Sequence, residues 1–205
     1  PGGARCSGPG RFRLQSPPHL SDRPAPAMKI DVYADVACPW CYIGHARLHE
    51  ALNERDDLTP EIRWNPFQLQ PDMPDGGREW RSFAEEKFGG WERAQRMFER
   101  VEEAADREGL SVNFDRMSTA PNTADAHRLI LWAQDEGPDA APIGESPGER
   151  VAENLYRAYF EKGANVSDPD VLVAAAEEVG CDPEAARSLL DGEAFSEAVE
   201  ESQKR

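Results

Sequence analysis

The stretch Lys29-Ile30-Asp31-Val32-Tyr33-Ala34-Asp35-Val36-Ala37-Cys38-Pro39-Trp40-Cys41-Tyr42-Ile43-Gly44 decides how this chain folds. Lys29 to Ala34 sets apolar residues at alternate positions and carries β-branched side chains, the pattern of a short strand. It runs straight into two cysteines. From Pro39 the spacing turns helical, with Ile43, Leu48 and Leu52 on one face, until Asp56-Asp57 closes the helix. Further on, Pro60 marks a turn, and Glu61-Ile62-Arg63-Trp64-Asn65-Pro66-Phe67 alternates again, predicting a second strand that is an edge or bends at Pro66.

Beyond the loop Gln70 to Gly77 the pattern is helical throughout. Trp80 to Glu108 carries Phe83, Phe88, Met97, Phe98 and Val101 and is broken at Gly89-Gly90. Asn122 is the expected N-cap of a helix from Thr123 to Glu136, with Asp125 three residues on in a variant of the capping box. Further helices are predicted over 148–162, 168–179, 183–190 and 192–203; Pro169 and Pro183 each follow an aspartate, the order of N-cap then N1. A β-α-β start over 28–75 therefore precedes an all-helical block over 76–205. Two strands make a marginal sheet unless helices cover it.

Residues 1–27 are rich in Pro, Gly and Arg, without the apolar core of a signal peptide; a disordered tail is expected there, with Met28 as the native start. The 205 residues suit one domain, or one domain with a large insertion, and can bury a real core. Cysteines stand at 6, 38, 41 and 181 with one close pair, which is not a secreted disulfide framework and points to a cytoplasmic protein. A formal charge of -16 argues against nucleic acid and anionic membrane as partners, and no run approaches the ~18 apolar residues of a membrane helix. Acid this dense also suits a salt-rich cytoplasm, a hypothesis that unchanged stability between low and multimolar KCl would count against.

A Cys-x-x-Cys pair at the mouth of a helix has a mechanical rationale: free backbone N–H groups and the positive end of the helix dipole stabilise the first thiolate. Cys38 is the expected nucleophile. Cys41, three residues on along the same face, is placed to attack the mixed disulfide and is the expected resolving thiol. Pro39 fits N1, and Trp40 offers an apolar lip to a disulfide-bearing partner. Asp35 either accepts a proton from Cys41 or caps the loop. His127 packs inside or faces substrate. Cys181 occupies a turn that opens a helix, or exchanges with the active pair; Cys6 lies in the tail.

Cys38, Cys41, His45 and His49 mimic a Cys2His2 zinc set, but on one helix the span from 38 to 49 is roughly 16 Å, so four ligands cannot converge on one ion. No metal is assigned. His45 and His49 read as helix-surface or packed residues, although a smaller site of Cys38, Cys41 and a distant group such as Cys181 stays open.

Asp35 to Gly44, then Trp64-Asn65-Pro66-Phe67-Gln68-Leu69-Gln70-Pro71-Asp72-Met73-Pro74, Pro121-Asn122-Thr123-Ala124-Asp125-Ala126-His127 and Ala158-Tyr159-Phe160 together resemble the FrnE-like branch of the DsbA family. That resemblance covers nearly everything from residue 28 onward and implies an α/β thioredoxin-like fold with a large α-helical insertion and disulfide exchange without a bound cofactor. It implies protein or small-molecule thiols as partners, glutathione as a co-substrate, and Pro39, Trp40, Asn122 and His127 at the substrate site. The closing Val-Pro loop, β-hairpin and last helix expected of such a fold have no counterpart before Arg205, so the chain reads as truncated at that end. Relatives of the 2-hydroxychromene-2-carboxylate isomerase and kappa-class glutathione transferase type share the layout but usually have serine at the first cysteine position. Retention of both cysteines favours the dithiol reading over a glutathione-dependent isomerase or transferase, and over a binding module with a structural pair.

Overall fold

The computed structural model describes residues 28–55, 57–58, 60–137 and 143–204; the tail with Cys6 and the Thr59 half of Thr59-Pro60 lie outside them. Strands β1 (Lys29–Ala34) and β2 (Glu61–Pro66) pair in parallel, Lys29 opposite Glu61 and Ala34 opposite Pro66, with helix α1 (Pro39–Asn53) as the crossover. Parallel pairing demands such a crossover, and Pro39 at the first helical position starts it without wasting an amide. Ile62 and Trp64 of β2 are buried, as the alternation requires.

The outer edge of β2 is completed by side chains. The amide of Gln134 takes the Trp64 N–H (2.8 Å) and gives to the Trp64 carbonyl (3.4 Å), standing in for a neighbouring strand. Gln203 repeats the device on Gln68 at 2.8 Å in both directions, and Ser202 donates to the Pro66 carbonyl. Helices α4 (Ala124–Asp135) and α8 (Ser196–Gln203) thereby cover the small sheet.

The predicted all-helical stretch needs one correction. Strands β3 (Arg78–Glu79) and β4 (Thr119–Ala120) form a two-residue antiparallel pair, held by Gly77 at φ +76°, where an added Cβ would lie 2.4 Å from the Ala120 carbonyl oxygen. Glu79 then caps α2 (Trp80–Phe88) by accepting from the amides of Arg81 and Ser82. Gly89-Gly90 separates it from α3 (Trp91–Arg107), at the break the sequence marks.

The N-cap of α4 is Thr123, one residue later than predicted, and it makes no side-chain cap; Asn122 instead closes the turn ahead of the helix, its Oδ1 accepting the Ala124 N–H at 2.8 Å. Helix α5 (Pro147–Tyr156) ends in a π-helical turn, Arg157–Glu161, and the Phe160 carbonyl in this last turn accepts from the Asn113 amide. Asp168 and Asp182 cap α6 (Pro169–Glu177) and α7 (Pro183–Asp191), each followed by its proline. One continuous core joins β1, β2 and β4 to helices α1 to α7. Its centre is aromatic, with Phe98 stacked on Phe114 at 4.3 Å and Tyr42 on Tyr156 at 5.1 Å.

Candidate active site

Cys38 is the N-cap residue of α1, extended at φ -98° and ψ 111°. Its own amide donates to the Asp35 carbonyl (3.0 Å), closing the turn that delivers β1 into the helix, and its carbonyl accepts from Cys41 and Tyr42. The side chain thus stands at the open N-terminal end of the helix, where an anion is favoured. A hydrogen bond from the Cys41 thiol is the strongest influence on it. With the Cys41 and Trp40 amides it outweighs partial burial and the repulsion of Asp35, so the Cys38 thiol drops from an ordinary 9.0 to about 7. Cys41 moves the other way: donating to Cys38, half-buried and beside a negative charge, it holds its proton far above the ordinary thiol range. The two cysteines, both half-buried, are therefore inequivalent, an acidic thiol and a reserve thiol.

Asp35 lies beneath the pair, 2% exposed. Its two oxygens accept from the amides of Ala37 (3.1 Å) and Leu69 (2.7 Å), which pins the cysteine turn to the loop after β2. Burial alone would raise this carboxyl, but His127, with its Nε2 at 3.6 Å, and the two amides together hold it below the usual carboxylate value. The capping role is thus occupied, and the charge remains within reach of both sulfurs.

Cys38, Pro39 and Trp40 form one wall of an apolar cavity of about 230 Å³. Trp80, Phe83 and Phe88 from α2 and Phe98 from α3 form its depth, the β3–β4 pair contributes Ala120, and the single basic side chain in its lining is Lys87. Trp40, 53% exposed, and Leu69 and Met97 at about two-fifths exposure make an apolar rim, a patch uncommon on a surface without a binding role. Pro39 and Trp40 thus line this cavity next to Cys38.

Asn122 and His127 stand elsewhere. The Asn122 amide nitrogen donates to the Met73 carbonyl (2.6 Å) and its oxygen accepts from the Ala124 amide, leaving Pro121 and Thr123 on the cavity wall in its place. His127 is buried against Asp35, outside the lining. Cys181 is half-buried with Glu136 and Arg150 as its charged neighbours; burial first, then Glu136, raises its thiol. Sequence reasoning missed Lys87, which carries no motif, and gave no role to Leu69 although it lies in the stretch from Trp64 to Pro74; only the tertiary fold brings both to the cysteines.

A family model of the DSBA-like thioredoxin domain matches residues 29–205. The chain belongs to that family. It is 26% identical over 175 residues to the protein YwbO of Bacillus subtilis (strain 168), a match spanning 85% of this chain and 78% of that one. Its fold is similar to a probable DsbA oxidoreductase, SCO1869, of Streptomyces coelicolor, with a TM-score of 0.74 and 28% identity over 86% of this chain and 74% of the other. The cytosolic disulfide reductase DsbM from Pseudomonas aeruginosa, solved with GSH, shares the fold at a TM-score of 0.56 and 18% identity over 85% and 77% of the two chains. This DSBA-like chain is a mixed α/β protein of mostly helical content, consistent with a helical insertion in a thioredoxin fold. Among the described residues no helix is long and apolar enough to cross a membrane.

Proposed function

We propose that this DSBA-like protein is a thiol–disulfide oxidoreductase of the FrnE-like branch that works through Cys38 and Cys41. The observation that carries the reading is the N-cap placement of Cys38, with Cys41 as hydrogen-bond donor and the apolar cavity alongside. The Cys38 thiolate attacks one sulfur of a partner disulfide, forming a Cys38–partner disulfide as the second partner sulfur leaves as thiolate and takes up a proton. Cys41 then gives up its proton, with the Asp35 carboxylate as nearby acceptor, and attacks Cys38; the Cys38–Cys41 disulfide forms and the partner leaves as a second thiol. The partner gains two electrons and the pair loses them. Two equivalents of a thiol such as glutathione reset the pair and leave as their own disulfide, and a reducing cytoplasm sets the direction toward reduction or isomerisation. The apolar rim of Trp40, Leu69 and Met97 supports a peptide or apolar thiol as substrate.

The test is turnover of a disulfide-linked fluorescent peptide with glutathione as reductant. Activity is expected in the intact chain, loss in Cys38→Ser, and accumulation of a mixed disulfide in Cys41→Ser; equal activity in all three would overturn the proposal. One observation favours a second reading: the cavity is small, aromatic and holds Lys87, which suits an acidic aromatic small molecule. A glutathione-dependent isomerase would act on a hydroxychromene carboxylate, and its turnover would survive replacement of Cys41.

A further inference from the structure

On the far side of α1 from the apolar cavity, His45 and His49 meet Glu149 of α5. The two histidines are four residues apart and so share one helix face. Both reach the same carboxylate oxygen: His45 Nε2 is 3.2 Å and His49 Nε2 2.7 Å from Glu149 Oε1. The candidate ligand atoms of the three residues all lie within 4.8 Å of one another. Tetrahedral bonds of 2.0–2.2 Å to an ion put neighbouring ligands about 3.3–3.5 Å apart, so the two histidine–Glu149 edges would lengthen by under about 1 Å.

We propose that His45, His49 and Glu149 form a binding site for a divalent transition metal of the zinc class, separate from the cysteine pair. Four observations support it. The second oxygen of Glu149 accepts the Gly144 amide at 2.7 Å, which fixes the carboxylate with Oε1 turned to the histidines, as an outer-shell partner does in metal sites. The His45 ring is set by edge contact with Trp64 at 5.5 Å and lies near Tyr156, so its orientation is already determined. Glu149 is 1% exposed whereas His49 borders an open groove, so solvent reaches the cluster from one side and can supply a fourth ligand. That groove carries Glu50, Glu54, Glu153 and Glu161 against Arg157, a field that attracts cations. Two imidazoles and one carboxylate match zinc and its neighbours, whereas magnesium and calcium prefer all-oxygen sets. The site ties α1, with the redox pair at its start, to α5.

Zinc titration of the full chain with every thiol alkylated tests this without interference from the cysteines. We expect one equivalent of zinc, a tetrahedral ligand-field spectrum with cobalt lacking thiolate bands, and a melting temperature that rises with added metal. His49→Ala, at a partly exposed position, and Glu149→Gln each weaken uptake by more than about tenfold. Circular dichroism checks that each variant is folded, and His49→Gln keeps a polar group if alanine disturbs the helix. Absence of uptake by the folded, alkylated chain would reduce the cluster to a hydrogen-bonded tie, as would uptake unchanged in His49→Ala and His49→Gln.

Discussion

Replacing Cys41 by alanine takes away the thiol hydrogen bond that is the largest influence on Cys38, while the Trp40 amide and the helix N-terminus stay in place. The Cys38 thiol therefore climbs from about 7 toward its ordinary 9.0. At neutral pH a thiol near 7 is about half ionised and one near 9 about one part in a hundred, a loss of about fiftyfold in thiolate. A more basic thiolate is also the better nucleophile, and with a Brønsted slope of about 0.4–0.5 this returns roughly six- to tenfold. Alkylation of Cys38 at pH 7 should then slow by at most about five- to eightfold, with its pH midpoint displaced upward. The assay is iodoacetamide labelling of the reduced protein across pH, each cysteine resolved by mass spectrometry. Cys181, whose thiol burial raises, provides a slow internal reference. Cys41→Ser keeps a donor and should fall between the two. A Cys41→Ala protein whose Cys38 still titrates near 7 would refute the reasoning and assign the activation to backbone amides alone.

Asp35→Ala strips the acceptor from two amides and should cost about 2–4 kcal/mol in urea unfolding. Because the folded carboxyl titrates below its unfolded value of 3.8, its stabilisation is complete above that value and fades as pH falls through the lower folded one; the variant should flatten the acid limb of a Tm-against-pH curve. Gly77→Ala drives a Cβ into the Ala120 carbonyl, so a loss of about 1–3 kcal/mol and weaker binding in the cavity are expected by thermal melting and peptide titration. Leu129→Ala, at a fully buried position of α4, should cost about 2–5 kcal/mol without moving the Cys38 midpoint. Lys87→Gln should raise KM for an acidic thiol such as glutathione while leaving kcat for a neutral peptide disulfide unchanged.

The elements nearest the cysteines were legible in the sequence because local rules specify them. Alternation gave β1 and β2, Pro39 opened α1, Gly89-Gly90 separated α2 from α3, and Asp-Pro pairs started α6 and α7. The β3–β4 pair escaped because two residues leave no period to read. Its signal was Gly77, whose close approach to Ala120 is visible once the two segments meet. The side-chain edging of β2 by Gln134 and Gln203 was equally hidden, since glutamine on a helix announces nothing about a distant strand.

The site divides the same way. Cys38, Cys41, Pro39 and Trp40 form one local motif and were readable. The other parts come from chain segments far apart: Leu69 holds Asp35, Lys87 reaches the cavity, and Glu149 meets His45 and His49 across about a hundred residues. Asn122 shows the converse. It is read from the sequence as both cap and substrate contact, whereas Thr123 takes the N-cap position and the Asn122 side chain is used in bonds to the Ala124 amide and the Met73 carbonyl.

The central claim is that Cys38 and Cys41 exchange two electrons as a unit. Equilibration of the full chain in glutathione buffers of stepped potential, followed by acid quenching and mass mapping, tests it most directly. A single two-electron transition is expected in which Cys38 and Cys41 pass together from two thiols to one disulfide, with Cys181 left reduced. Independent glutathione adducts on the two cysteines, or no linkage between them at any potential, would contradict it.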